Sequence, residues 1–258
     1  MAAGNSISPG EVVQSAPAIP LSGVIHSASL DVLETAASDP ALSEELALAL
    51  LQRADLPAEI LGRISKNGGV IKQRRVKLAL VQHPKTPRHI SIPLLRQLFT
   101  FDLMRVALTP AVPADIKMIA DEALINRLET IPSGERLSLA KRGSGRVAAE
   151  LLLDCEPRVA RAALENSRLT EALVVKALMQ RNAPAAFVET VSHHSKWSLR
   201  YEIRVALLRN EKTPLARGLE FARALPPGLL REVLHNSRLT ANTRSLLLKD
   251  VALDGAKE

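Results

Sequence analysis

The chain has 258 residues, 47% of them apolar but only 2% aromatic, and a formal net charge of +7. It is long enough to bury one large core or two smaller ones, and a core so poor in aromatics has to be built from Leu, Ala and Val, which favours helix over strand. The single cysteine, Cys155, excludes an internal disulfide and a Cys-rich metal site; set in the apolar run AAELLLDCEPRV, it is expected to be a buried or half-buried inert thiol in a reducing, cytoplasmic compartment.

Residues 1–25 are rich in Ser, Pro, Gly and Ala and show no periodicity. They have neither a basic n-region nor an apolar h-region, so a mobile tail is expected here and not a secretory signal. From residue 26 to 253 the chain is a succession of short amphipathic segments: LSEELALALLQR, QRRVKLALVQ, DIKMIADEALINRL, EALVVKALMQ and LARGLEFARAL in turn. In the last of these, Leu215, Leu219, Phe221, Ala222 and Leu225 recur at helical spacing. Roughly fifteen helices are expected, each too short to stand alone and held by packing on its neighbours. Residues 254–258 are read as a C-terminal tail. Nothing approaches the ~18 continuous apolar residues of a membrane span, so no membrane association is expected.

Charge is divided along the chain. Residues 1–60 hold one cation, Arg53, and eight acids, a net of −7, whereas the remaining 198 residues hold 33 cations and 19 acids, a net of +14. The densest basic stretch, Arg63 to Arg105, has ten cations and one acid, Asp102. Such asymmetry points either to an anionic partner for the basic part or to an acidic part lying against it.

The turns between segments repeat. His83-Pro-Lys85-Thr86-Pro87, Asn166-Ser-Arg168-Leu169-Thr170, His194-Ser-Lys196-Trp197-Ser198, Asn210-Glu-Lys212-Thr213-Pro214 and Asn236-Ser-Arg238-Leu239-Thr240 share one pattern, with a degenerate copy at Thr109–Pro113. Successive copies are 26, 57, 28, 16 and 26 residues apart, a helical-repeat period of 26–29 with one half-step. Each position has a physical role. Asn or His is expected in the left-handed conformation that ends a helix. Thr or Ser is expected to cap the next helix, or Pro to open it, and the cation to sit at the negative end of the preceding helix dipole. The preceding segments RRVKLALVQ, PRVARAALE and YEIRVALLR place Val76, Val159 and Ile203 in equivalent positions.

The stretches RVKLALVQHPKTPRHISIPLL and EIRVALLRNEKTPLARGLEFA resemble bacterial HEAT-like α-solenoid repeats, specifically leucine-rich-repeat-variant units, over residues 70–115 and 157–250. The resemblance implies an all-α fold: a single right-handed α-solenoid of short antiparallel helices with no sheet, used as an interaction surface. Such repeats share no catalytic residues, so the resemblance carries none over to this chain.

The candidates for chemistry are few. His83 and His194 occupy the turn position that Asn takes elsewhere, and adjacent His193 and His194 diverge on a helix, so none of the six histidines is read as a metal ligand. Arg142-Gly-Ser-Gly-Arg146 lacks phosphate-loop spacing and is read as a helix–helix turn. Asp102, Asp121 and Asp154 are single carboxylates without a paired acid/base partner in the sequence. In a regular stack the turn cations Lys85, Arg168, Lys196, Lys212 and Arg238 would line one edge, compatible with gripping a polyanion. A second cluster comprises Lys72, Arg74, Arg75, Lys77, Lys85 and Arg88. Trp197, with Arg200 and Tyr201, is either a stacking platform for a nucleobase or an apolar clamp on the start of a helix. The expectation is a non-enzymatic scaffold with no cofactor or metal. Its partner is a macromolecule, foremost a protein and an acidic one by charge, bound on a concave face. A nucleic-acid binder using the basic residues ranks second, and a DNA-glycosylase-like enzyme on a HEAT-like fold third.

Overall fold

A computed structural model describes residues 29–254, together with Gly23 and Ser27. Both expected tails therefore lie almost wholly outside the described residues, as does His26. All regular structure among the described residues is helical, in sixteen helices of seven to fourteen residues. The chain forms two compact units, Met1–Ile90 and Ser91–Glu258.

The first unit contains α1 (Leu30–Ser38), α2 (Glu44–Leu51), α3 (Ala58–Lys66) and α4 (Arg74–Gln82); the division falls within α5 (Arg88–Leu95). Within the unit α1 packs on α3, and α2 and α3 on α4. The apolar spacing explains each contact: Ile60, Leu61 and Ile64 of α3, and Val76, Leu80 and Val81 of α4, recur three and four apart and are buried. The acidic helices here lie against the basic ones, with Glu34 of α1 2.8 Å from Arg63 of α3 and Glu44 of α2 3.8 Å from Arg75 of α4. Part of the sequence's charge asymmetry is thus neutralised inside this unit.

The second unit comprises α6 (Thr100–Leu108), α7 (Ala114–Ile125), α8 (Ser133–Arg142), α9 (Gly145–Leu151), α10 (Pro157–Leu164), α11 (Glu171–Leu178), α12 (Ala185–His193), α13 (Tyr201–Arg209), α14 (Leu215–Arg223), α15 (Pro227–His235) and α16 (Ala241–Asp254). Short connections make consecutive helices antiparallel. Helices two apart stack: α7, α9, α11, α13 and α15 form one layer in chain order, while α8, α10 and α12, and then α14 and α16, stack in the other. The core between layers is aliphatic, with Val147, Leu151, Leu164, Val174, Leu178, Val191, Ile203 and Leu207 at most 1% exposed. This stacking of alternate helices is the packing of a helical repeat.

Three local expectations are corrected. No described residue has a positive φ. His83 (φ −73°, ψ 127°), His194 (−72°, 125°) and Asn210 (−95°, 124°) are extended, so the turn does not use the left-handed region at all. Of the expected caps, Thr240 accepts the N–H of Thr243 at 3.2 Å, but Thr170 makes no side-chain cap on α11; in the slot before the cap, Thr86 and Thr213 donate back to the carbonyls six residues earlier, Leu80 and Leu207, at 2.6 Å. Cys155 is exposed, because α9 ends at Leu151 and the thiol falls in the connection to α10. No described helix is long and apolar enough to cross a membrane.

Candidate functional site: the repeat turns and the helix grooves

In four of the turns the Asn or His ties one helix end to backbone carbonyls of the helix pair before it, whereas Asn236 donates to Glu232 of its own helix at 3.4 Å. Asn166, 1% exposed, donates from Nδ2 to the carbonyls of Ala140 (2.8 Å) and Gly143 (3.2 Å), at the end of α8, while its Oδ1 accepts the N–H of Arg168 at 2.8 Å. Asn210 donates to the Leu178 carbonyl of α11 at 2.8 Å and accepts the N–H of Lys212 at 2.9 Å. His83 does the same with a ring: Nε2 meets the Arg53 carbonyl at 2.8 Å, and Nδ1 accepts the N–H of Lys85 at 3.2 Å. Because Nδ1 accepts from a backbone N–H, the proton of the neutral ring belongs on Nε2, where the carbonyl waits. The last carbonyls of a helix have no partner within it, and in a dry stack only a side chain from the next repeat can reach them.

Asn67 was missed in the sequence. It donates to the Ala37 and Asp39 carbonyls at 3.1 and 2.8 Å and accepts the N–H of Gly69 at 3.0 Å, as its sister residues do. Its turn, Asn67-Gly-Gly-Val70, has no cation, and that hid it. The interval from Asn67 to His83 is the same 16 residues that separate His194 from Asn210. The half-step has a structural cause: the motif there advances by one helix instead of two and so passes to the other layer.

That shift decides where the ladder cations fall. Arg168 and Lys196 follow α10 and α12, in one layer, whereas Lys212 and Arg238 follow α13 and α15, in the other, with the antiparallel direction. The four therefore divide between opposite edges of the second unit and do not line one; Lys85 belongs to the first unit. Most are also engaged with backbone. Lys85 Nζ donates to the Asp55 carbonyl (3.1 Å), Lys212 Nζ to Ala183 (2.6 Å), Arg168 Nη1 to Arg142 (3.5 Å) and Arg238 Nη2 to Met179 (2.7 Å). Arg168 and Arg238 thereby serve the ends of α8 and α11, where a cation is favoured by the dipole, while the Asp55 and Ala183 carbonyls lie in the connections before α3 and α12. Lys72, Arg74 and Arg75 are exposed where α4 begins, a helix with no acid in its first turn, with Arg75 3.8 Å from Glu44, and Arg88 is exposed at the start of α5.

Trp197 is 2% exposed and donates from Nε1 to the Leu164 carbonyl, the last residue of α10, at 2.9 Å. Lys196 Nζ lies 4.1 Å from its ring centroid. In this turn His194 Nε2 is drawn to the Glu165 carboxylate at 3.1 Å, and the indole caps the helix end that an Asn caps elsewhere. The ring is thus inside the fold, and the stacking platform of Trp197, Arg200 and Tyr201 is not assembled. Only Arg200, its side chain 4.0 Å from Glu171, and Tyr201, 49% exposed, face solvent.

The single carboxylates also have structural partners. Asp154 pairs with Arg136 at 2.7 Å, both side chains largely buried. Asp121 accepts the Ser144 hydroxyl at 2.7 Å, and that same hydroxyl caps Val147 N–H of α9. Burial pushes the Asp121 carboxyl above its ordinary range, while the Ser144 bond and the Arg146 charge oppose the rise. Arg142-Gly-Ser-Gly-Arg146 is a close-packed turn: a Cβ on Gly145 would stand 2.3 Å from the Arg168 carbonyl, so two backbones meet where a phosphate loop would need open space. No cluster of three or more His, Cys, Asp or Glu able to hold a metal occurs among the described residues.

Exposed helix faces form grooves along the stack. One of about 810 Å³ crosses α10 and α12 and is lined by Arg161, Glu165, Ala186, Glu189 and His193, so it carries both signs of charge. Another, of about 520 Å³, separates α15 from α16. Comparison with protein-family models, curated proteins and solved structures finds no match to this chain, so the packing and these surfaces alone carry the functional reading.

Proposed function

We propose that this protein is a non-enzymatic helical-repeat scaffold of the HEAT-like, leucine-rich-repeat-variant kind, binding a partner protein in the cytoplasm through the faces of its stacked helices. The observation that carries this reading is the division of labour among polar side chains. Those in the turns hold helix to helix, while successive repeats set the side chains of their helix faces side by side, as in the groove across α10 and α12. A surface assembled from equivalent positions of adjacent repeats suits an extended macromolecular ligand. The test is affinity purification with the full chain, followed by reconstitution of any recovered protein from purified components. A stoichiometric complex weakened by Arg161→Glu and Glu189→Arg is the expected result. Failure of every recovered protein to bind when purified would overturn the reading.

A nucleic-acid ligand is the second reading, favoured by the exposed Lys72, Arg74 and Arg75. It requires duplex or single-stranded nucleic acid to be retained at low salt, with a steep salt dependence reduced by reversing these three charges.

A further inference from the structure

Between Lys196 and Lys249 the chain has eleven cations and four acids. Several of these cations are used inside the fold. Arg204 donates to the Ser198 carbonyl, Arg217 to Ser192 and to Glu220, Lys212 to Ala183 and Arg238 to Met179, and Arg223 pairs with Asp250 at 2.8 Å. Arg231, Arg244 and Lys249 have no side-chain hydrogen bond or ion pair among the described residues, and all three line the groove between α15 and α16. The floor between them is apolar, made of Leu234, Leu248, Ala241 and Ala252, and no acid lines it.

The pattern on α16 explains this groove. Leu247, 2% exposed, faces α14, and so does Asp250 through its pair with Arg223. Positions 241, 244, 248 and 252 then share another face, spaced by three and four residues. Small side chains at its two ends, Ala241 and Ala252, leave a trough about 16 Å long, some three helical turns. Unpaired cations around an apolar floor match a ligand with acids flanking an apolar stripe. A nucleic-acid backbone would use the cations but leave Leu248, Ala241 and Ala252 uncovered.

We propose that the α15–α16 groove docks an acidic amphipathic helix of a partner protein, with leucine-like side chains on Leu248, Ala241 and Ala252 and carboxylates on Arg231, Arg244 and Lys249. This deepens the scaffold reading and rests on it for the partner's being a protein. The mode is helix-in-groove recognition, in which apolar anchors give affinity and the charged rim gives orientation and on-rate.

The experiment uses the full chain and a fluorescein-labelled designed peptide of about 18 residues, leucines on one helical face and glutamates on the rest. Two controls accompany it: a scrambled peptide of the same composition, and a single-stranded oligonucleotide. Saturable 1:1 binding is expected in anisotropy titrations at low salt. Ser245→Trp, which fills the groove from an exposed position without changing charge, weakens it at least tenfold, as does the triple Arg231→Glu, Arg244→Glu, Lys249→Glu, with circular dichroism unchanged. Absence of saturable binding, or equal affinity for the scrambled peptide, overturns the proposal. So does an oligonucleotide that binds more tightly and ignores Ser245→Trp, which would assign the cations to nucleic acid. A reconstituted partner that binds the triple variant normally sinks the groove and leaves the scaffold standing. A peptide that binds as expected, with no partner protein recovered, leaves the groove and removes the support for the scaffold.

Discussion

At the scale of single residues, the turn position is defined by hydrogen-bond chemistry and not by backbone conformation. Asn and neutral His present the same pair of groups, an acceptor for the N–H two residues on and a donor for a carbonyl on the previous repeat. His83→Asn is therefore expected to keep stability within about 1 kcal/mol, whereas His83→Ala strands the part-buried Arg53 carbonyl and loses about 1–2 kcal/mol. Urea unfolding monitored by circular dichroism measures both; equal losses would show that ring packing, not hydrogen bonding, matters at this position. The interchange of Asn and His was legible in the sequence, but its cause was not. A left-handed helix end is a local explanation, and the one adopted depends on a carbonyl some 30 residues away.

At the scale of elements, each helix is too short to persist alone and is fixed by the helix two before it. Trp197 shows how far the device can vary. With His194 turned toward Glu165, the indole N–H takes over the end of α10, and its ring fills the space below. Trp197→Phe keeps most of the packing but leaves the Leu164 carbonyl unpaired, and should cost about 1–3 kcal/mol. Trp197→Ala adds a cavity and should cost about 3–5 kcal/mol. Thermal unfolding of the two variants separates the contributions; if the Phe variant is as stable as the parent, the hydrogen bond contributes nothing. For the only tryptophan in the chain the sequence left a stacking platform and an apolar helix clamp side by side, and burial with the indole hydrogen bond places the ring inside the fold.

At the scale of the molecule, the second unit is quasi-one-dimensional: most of its helices meet only those one or two places away. Local opening should then begin at an end. Amides of α16 are expected to exchange at least about tenfold faster than those of α11, measured by hydrogen exchange with mass spectrometry; uniform protection would show a globally cooperative unit. The sequence by itself determined the all-helical fold, roughly the sixteen helices found among the described residues, and the repeating turn, because propensity, apolar spacing and turn chemistry act over a few residues. Only the tertiary structure decided which layer each turn joins, that the ladder cations of the second unit part to opposite edges, that Trp197 is buried, and that Arg231, Arg244 and Lys249 have no side-chain partner among the described residues around an apolar groove. These outcomes depend on residues some 26 to 33 positions apart, brought together by stacking that no local pattern encodes.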